Sequence, residues 1–184
     1  MALAREYDYI SYIEFLEYTK DLDQKTEYSD GEIFYMSPTH PKHNKVQNRL
    51  FMQLEGTLEN CNKCDVYTSD IAVKFEEEDK DYQFEPDVMV VCEDKFDKAI
   101  YKGIPTLIIE VLSKATRVRD TGLKLNVYEK FGVKEYWIVD IDTKERTVYN
   151  NNVNGKYKSI VTYNKDMELY WNNNKIDLNY IFNL

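Results

Sequence analysis

Residues 106–140 read TLIIEVLSKATRVRDTGLKLNVYEKFGVKEYWIVD. Thr106 to Leu112 is an apolar run broken by a single carboxylate, Glu110, and it is too short for a convincing helix. Such runs suit central strands covered on both faces. From Arg117 to Phe131, the residues Leu123, Val127 and Phe131 share one helical face, and Gly132 is a natural stop. Glu135 to Asp140 is apolar again. Strand, helix and strand in this order make a crossover unit, which places parallel strands in a mixed sheet.

The flanking segments extend that sheet. Val88 to Cys92 is a second buried run. Residues 42–60 carry Val46, Leu50, Leu54 and Leu58 at four-residue intervals, a helix with one apolar stripe. Residues 65–75 alternate, with Ile71, Val73 and Phe75 on one face of a strand, and the acidic stretch 76–81 reads as a hairpin loop. Ser11 caps a short amphipathic helix, residues 26–31 read as a turn, and Glu32 to Met36 as a strand ending at Ser37-Pro38. Residues 146–149 and 156–162 pair around an Asn/Gly turn, while 169–184 shows no clear period. No linker composition interrupts residues 1–184. The expectation is a single α/β domain, a mixed central sheet flanked by helices.

Composition bounds the function. An apolar fraction of 43% over 184 residues supports a real core, and 16 tyrosines favour a sheet. The net charge of −9 counts against a protein that tracks a phosphate backbone along its whole surface. Bound cations would reverse the sign inside an acidic pocket. Three cysteines, with charged residues in Met1 to Tyr9 where a leader would be apolar, point to a reduced cytoplasmic protein. Cys61-x-x-Cys64 has no second metal pair and reads as a reduced surface turn. No apolar run reaches the roughly 18 residues that span a bilayer.

Pro86-Asp87 opens one buried strand and Glu110 lies late in another. A carboxylate among Ile108, Ile109, Val111 and Leu112 is costly to bury without a partner. A cation shared with Asp87 is one solution, because Mg²⁺ takes oxygen ligands and keeps several waters. An Arg or Lys at the sheet edge is the other. His40 and His43 are the two histidines, and with no neighbouring cysteine they make a poor zinc signal.

Further motifs occur in a fixed order: Tyr28-x-Asp-Gly-Glu32, Met36-Ser-Pro followed by His43, Glu85-Pro-Asp87, Ile109-Glu-Val-Leu-Ser113, Asp120 with Lys124 and Tyr128, and Gly132 to Asp140. From about residue 10 to 145 the chain resembles the large bacterial restriction-endonuclease family often called Uma-two, within the PD-(D/E)xK nuclease superfamily. The resemblance implies a restriction-endonuclease-like fold and Mg²⁺- or Mn²⁺-dependent hydrolysis of nucleic acid, with DNA favoured. It implies Asp87 and Glu110 as metal carboxylates. The superfamily lysine two residues after that Glu is replaced here by Leu112, and Lys124 on the following helix is the match. Glu32 and His43 would line the same cleft. Homodimers are expected from the same likeness.

From spacing alone, Lys124 reads first as an exposed helix lysine paired with Asp120 at i,i+4. Lys114, Arg117, Arg119, Lys124 and Lys130 form a basic run after Glu110, a candidate phosphate contact or a solvated helix face. Substrate contacts are therefore expected at Lys114, Arg117, Arg119 and Asp120. Tyr128 reads as a core tyrosine that can reach the site. Two other readings stay open: a nuclease fold without catalysis, favoured by Leu112 and the acidic charge, and a hydrolase of small phosphoesters, favoured by a narrow pocket.

Overall fold

The computed structural model describes residues 9–59, 61 and 63–184; of the leader argument only Tyr9 falls within them. In chain order the elements are α1 (Tyr12–Thr19), β1 (Thr26–Ser29), β2 (Glu32–Tyr35), α2 (Pro41–Leu58), β3 (Asp65–Thr68), β4 (Ala72–Glu77), β5 (Lys80–Phe84) and β6 (Val88–Val91). Two short strands follow, β7 (Phe96–Asp97) and β8 (Ile100–Tyr101), then β9 (Leu107–Val111). Next come α3 (Arg117–Arg119), a π-helical turn (Asp120–Lys124) and α4 (Leu125–Lys130). The chain continues with β10 (Glu135–Asp140), β11 (Glu145–Asn152), β12 (Tyr157–Tyr163), β13 (Leu169–Trp171), β14 (Asn174–Ile176) and α5 (Leu178–Phe182).

The crossover unit forms as read. β9 and β10 pair in parallel inside a six-stranded sheet ordered β12-β11-β10-β9-β6-β3, whose other pairings are antiparallel. Side chains alternate across this sheet. Leu107, Ile109, Val111, Trp137 and Val139 pack with Val46, Leu50 and Leu54 of α2 and with Leu178 and Ile181 of α5. Ile108, Leu112, Tyr136 and Ile138 face the opposite way, towards Val127 and Tyr128 of α4 and Val73, Phe75 and Phe84 of a second sheet. Each fully buried aliphatic of the α2 stripe is worth roughly 1.5–3 kcal/mol over its exposed state, so packing fixes this helix more than propensity does.

The second six-stranded sheet, ordered β2-β1-β5-β4-β8-β7, corrects two readings. Residues 26–29 are not a turn. Thr26–Ser29 is a strand buried at all four positions, set between β2 and β5, and only Asp30-Gly31 turns, with φ of 44° and 95°. Positive φ at both central residues is the tight hairpin conformation that Asp-Gly favours. Residues 65–75 are not one strand either. The chain breaks after Thr68, and β3 and β4 join different sheets.

Two further differences concern the helix after β9 and the cysteines. Residues 117–130 are not a regular α-helix, because the π-helical turn widens the backbone between Asp120 and Lys124. Cys64 and Cys92 flank the β3–β6 ladder one step beyond the Asp65↔Val91 pair, and a disulfide joins them, so the expected reduced state fails for these two. Cys61 keeps a free thiol. Among the described residues no helix is long and apolar enough to cross a membrane.

Candidate active site

The strand register sets the first pair of groups. β6 runs antiparallel to β9 with Val90↔Leu107, Met89↔Ile108 and Val88↔Ile109, so one step further along brings Asp87 opposite Glu110. Opposed side chains on one face of a ladder have Cβ atoms roughly 4.5–5.5 Å apart. Asp87 and Glu110 both line a cavity of about 890 Å³. Its other walls come from β2 and the loop to α2, from the β9–α3 loop, and from Ile141 and Asp142 after β10.

Asp87 is fixed by backbone and helix. Its Oδ2 accepts the Val111 N–H at 2.7 Å and lies 3.2 Å from His43 Nε2. One turn along α2, Gln47 Nε2 donates to the Asp87 carbonyl at 2.9 Å and to Ser69 Oγ at 2.7 Å. His43 and Gln47 are both buried, on the face of α2 that meets β6. Burial alone would lower the His43 pKa, but the hydrogen bond and charge of Asp87 raise it.

Glu110 is 3% exposed. Its Oε1 accepts from Lys124 Nζ at 2.9 Å and from the Tyr128 hydroxyl at 3.2 Å. Burial pushes its carboxyl well above the usual range, and Asp120, Asp87 and Glu27 push the same way against Lys124. Lys124 is 2% exposed, which removes the surface-lysine alternative. Its ammonium lies 2.7 Å from Glu27 Oε1 and 3.7 Å from Asp120 Oδ1. Burial would lower its pKa, yet Glu110, Glu27 and Asp120 hold it well above the ordinary lysine value.

The π-helical turn brings a helix lysine to Glu110. Both ends of the turn, Asp120 and Lys124, are buried. The Tyr136 hydroxyl of β10 donates to the Asp120 carbonyl at 2.9 Å and holds the widened backbone against the sheet. Position 112 is leucine, and Lys124 reaches Glu110 from the helix that follows.

Glu27 is the residue that sequence reasoning missed. It is fully buried, pairs with Lys124 and with Arg119 Nη1 at 3.3 Å, and accepts the Glu85 N–H at 3.1 Å. The signal was present: Asp30-Gly31 between two short runs marks a hairpin, and that hairpin sets Glu27 opposite Phe34. Glu32, the acidic residue expected here, is exposed opposite Ser29 and does not line the cavity.

The expected substrate contacts divide. Lys114 and Arg119 line the cavity, as do His40 and Lys42 at the start of α2. Arg117 does not, because its guanidinium is held by Asp140 at 2.9 Å. Asp120 is 1% exposed and lies behind the site as a partner of Lys124. Lys130 pairs with Glu77 on β4. Among the described residues, no three His, Cys, Asp or Glu side chains form a ready-made metal cage.

Comparison with known proteins finds relatives and a shared fold. The chain is 27% identical over 146 residues to the uncharacterized protein slr1290 of Synechocystis, spanning 78% of this chain and 75% of that one. It is 28% identical over 131 residues to the uncharacterized protein sll1609 of the same organism, spanning 69% and 72%. A crystal structure described as "a putative nuclease belonging to DUF820" from Anabaena variabilis shares the fold, with a TM-score of 0.76 at 17% identity over 94% of this chain and 97% of that one. Residues 13–170 match the model of the Uma2 family, described as "Putative restriction endonuclease", and the chain belongs to that family.

Proposed function

We propose that this chain is a metal-dependent nuclease acting as a single domain, which hydrolyses phosphodiester bonds in nucleic acid, with DNA the favoured substrate. The observation that carries the reading is two carboxylates on one cavity wall with a buried lysine against one of them. Asp87 and Glu110 both line the cavity, and Lys124 Nζ lies 2.9 Å from Glu110 Oε1. A hard divalent ion is what two carboxylates and a phosphate suit.

The donor set fits such an ion. Asp87 uses only Oδ2 and Glu110 only Oε1 towards the described residues. Each would offer its second oxygen to Mg²⁺ or Mn²⁺, hard ions that take oxygen ligands. Bound there, the ion supplies a Lewis acid for a phosphoryl oxygen and a more acidic water. The protein's own groups do the rest. Lys124 orients the attacking water beside Glu110 and offsets charge that builds on phosphate. Glu27 positions Lys124, and His43 holds Asp87 in place. Arg119 and Lys114 contact phosphate oxygens from the cavity wall.

The testing experiment is cleavage of plasmid and single-stranded DNA with Mg²⁺ or Mn²⁺, comparing wild type with Asp87→Ala, Glu110→Ala and Lys124→Ala. The expected result is metal-dependent cutting by the wild type alone. Equal cutting by all four preparations would point to a contaminant and remove the assignment.

A further inference from the structure

One cavity wall is apolar, and phosphate chemistry does not account for it. β2 alternates, so Phe34 points to the same side as Glu27, its register partner; Tyr35, whose hydroxyl donates to the Tyr18 hydroxyl at 2.9 Å, also borders the cavity but is exposed. Phe34 is half-buried and lines the cavity. The Arg119 guanidinium lies over its ring, 4.8 Å from the centroid, while the same guanidinium pairs with Glu27. The ring is therefore held in place between the charged floor and the cavity. Met36, two residues on, is half-buried and lines the same wall.

A duplex seen from outside presents phosphates and sugars, which would leave such a wall uncompensated. An unstacked nucleobase presents a flat apolar face of the right kind, and single strands are bound by stacking on aromatic rings. A cavity of about 890 Å³ holds a nucleotide-sized group and not the breadth of a double helix.

We propose that the substrate is single-stranded nucleic acid, with one unstacked base seated on Phe34 next to the phosphate that enters the carboxylate site. Phe34 is then a specificity-determining residue, and Arg119 both supports its ring and contacts the adjoining phosphate. This rests on the nuclease reading for its chemistry, but its test is a binding test.

Fluorescence anisotropy in EDTA, where no strand is cut, compares labelled oligothymidylate, an abasic oligomer with the same phosphates, and a duplex of equal length. The expected result is tighter binding of oligothymidylate than of either competitor, by on the order of tenfold against the abasic strand. Phe34→Leu, which keeps apolar bulk and loses the aromatic face, should erase that preference, and Phe34→Trp should keep it. Equal affinity for based and abasic strands in the wild type, or a preference for duplex, overturns the proposal without recourse to any variant. Base-dependent binding with no cutting under Mg²⁺ or Mn²⁺ would instead remove the hydrolase reading and leave this one standing. Metal-dependent cutting with no base preference would do the reverse.

Discussion

Glu27 Oε1 on β1 and Lys124 Nζ on the π-helical turn lie 2.7 Å apart, and neither residue is more than 2% exposed. The pair ties the second sheet to the helix that follows β9. It explains why a lysine so far along the chain from Glu110 can serve the same cavity. Without Glu27, Lys124 keeps Glu110 at 2.9 Å, but the Glu85 N–H loses its acceptor, at a cost of about 1–3 kcal/mol. Glu27→Ala should therefore destabilise the fold by that order, read from urea unfolding. Glu27→Gln keeps the shape and should cut less well while staying folded, with the loss in kcat and not in KM. A Glu27→Gln protein with wild-type kcat would show that the pair is structural only.

The metal reading can be checked without any cleavage. A ligand that binds the folded state at 100 times its Kd stabilises it by about 2.7 kcal/mol. Adding Mn²⁺ should raise the wild-type Tm and leave Asp87→Asn and Glu110→Gln unmoved, because each loses one of the two carboxylates that line the cavity. A variant that responds to Mn²⁺ as the wild type does would place the ion elsewhere.

Asp140 gives an acid-limb prediction. Burial alone would raise its pKa, but the Arg117 guanidinium and the amides of Thr143 and Asp142 hold the carboxyl below its usual value. A folded-state pKa below the unfolded value of about 3.9 adds stability that is fully present above that pH. The contribution is lost as pH falls through the folded-state value. Asp140→Asn should cost on the order of 1 kcal/mol at neutral pH. The gap to wild type should close below about pH 4. Urea midpoints at neutral and acid pH decide it, and a gap of constant size would assign the effect to packing.

Arg146 should be replaceable. It is fully buried on β11, with its guanidinium carbon 4.3 Å from the Trp137 ring centroid. Among the described residues none of its three guanidinium nitrogens has a hydrogen-bond partner, and burial pulls its pKa down to about 9. A buried charge without a hydrogen-bonded partner is a stability cost, and apolar replacements of similar volume are neutral or stabilising by about 1–4 kcal/mol. Arg146→Met should match or exceed the wild type in urea. A loss of several kcal/mol would mean that stacking on Trp137 outweighs the desolvation.

The Cys64–Cys92 disulfide closes a segment with a sequence separation of 28. Loop-closure entropy for that length corresponds to about 3–4 kcal/mol. Reduction with a phosphine, or Cys92→Ser, should lower stability by that order, with Asp87 and the cavity at the other end of β6 unaffected. Peptide mapping under non-reducing conditions checks the pairing directly.

The strand–helix–strand unit, the α2 stripe and the Asp87, Glu110 and Lys124 trio were legible in the sequence. Apolar periodicity is a local property, and a carboxylate inside an apolar run stands out against it. The family likeness placed Lys124, but spacing alone read it first as a surface residue. What the linear chain hid was decided by partners distant in sequence. β1 looked like a turn because its burial comes from β2 and β5 on either side, and with it Glu27 went unseen while the exposed Glu32 was named instead. Arg117 and Arg119 are two residues apart and look alike, yet Asp140 holds one away while Glu27 and Phe34 hold the other at the cavity. Which charges face the site depends on which elements pack above it. Residue patterning could only say that the sheet would exist and that its two central carboxylates would need company.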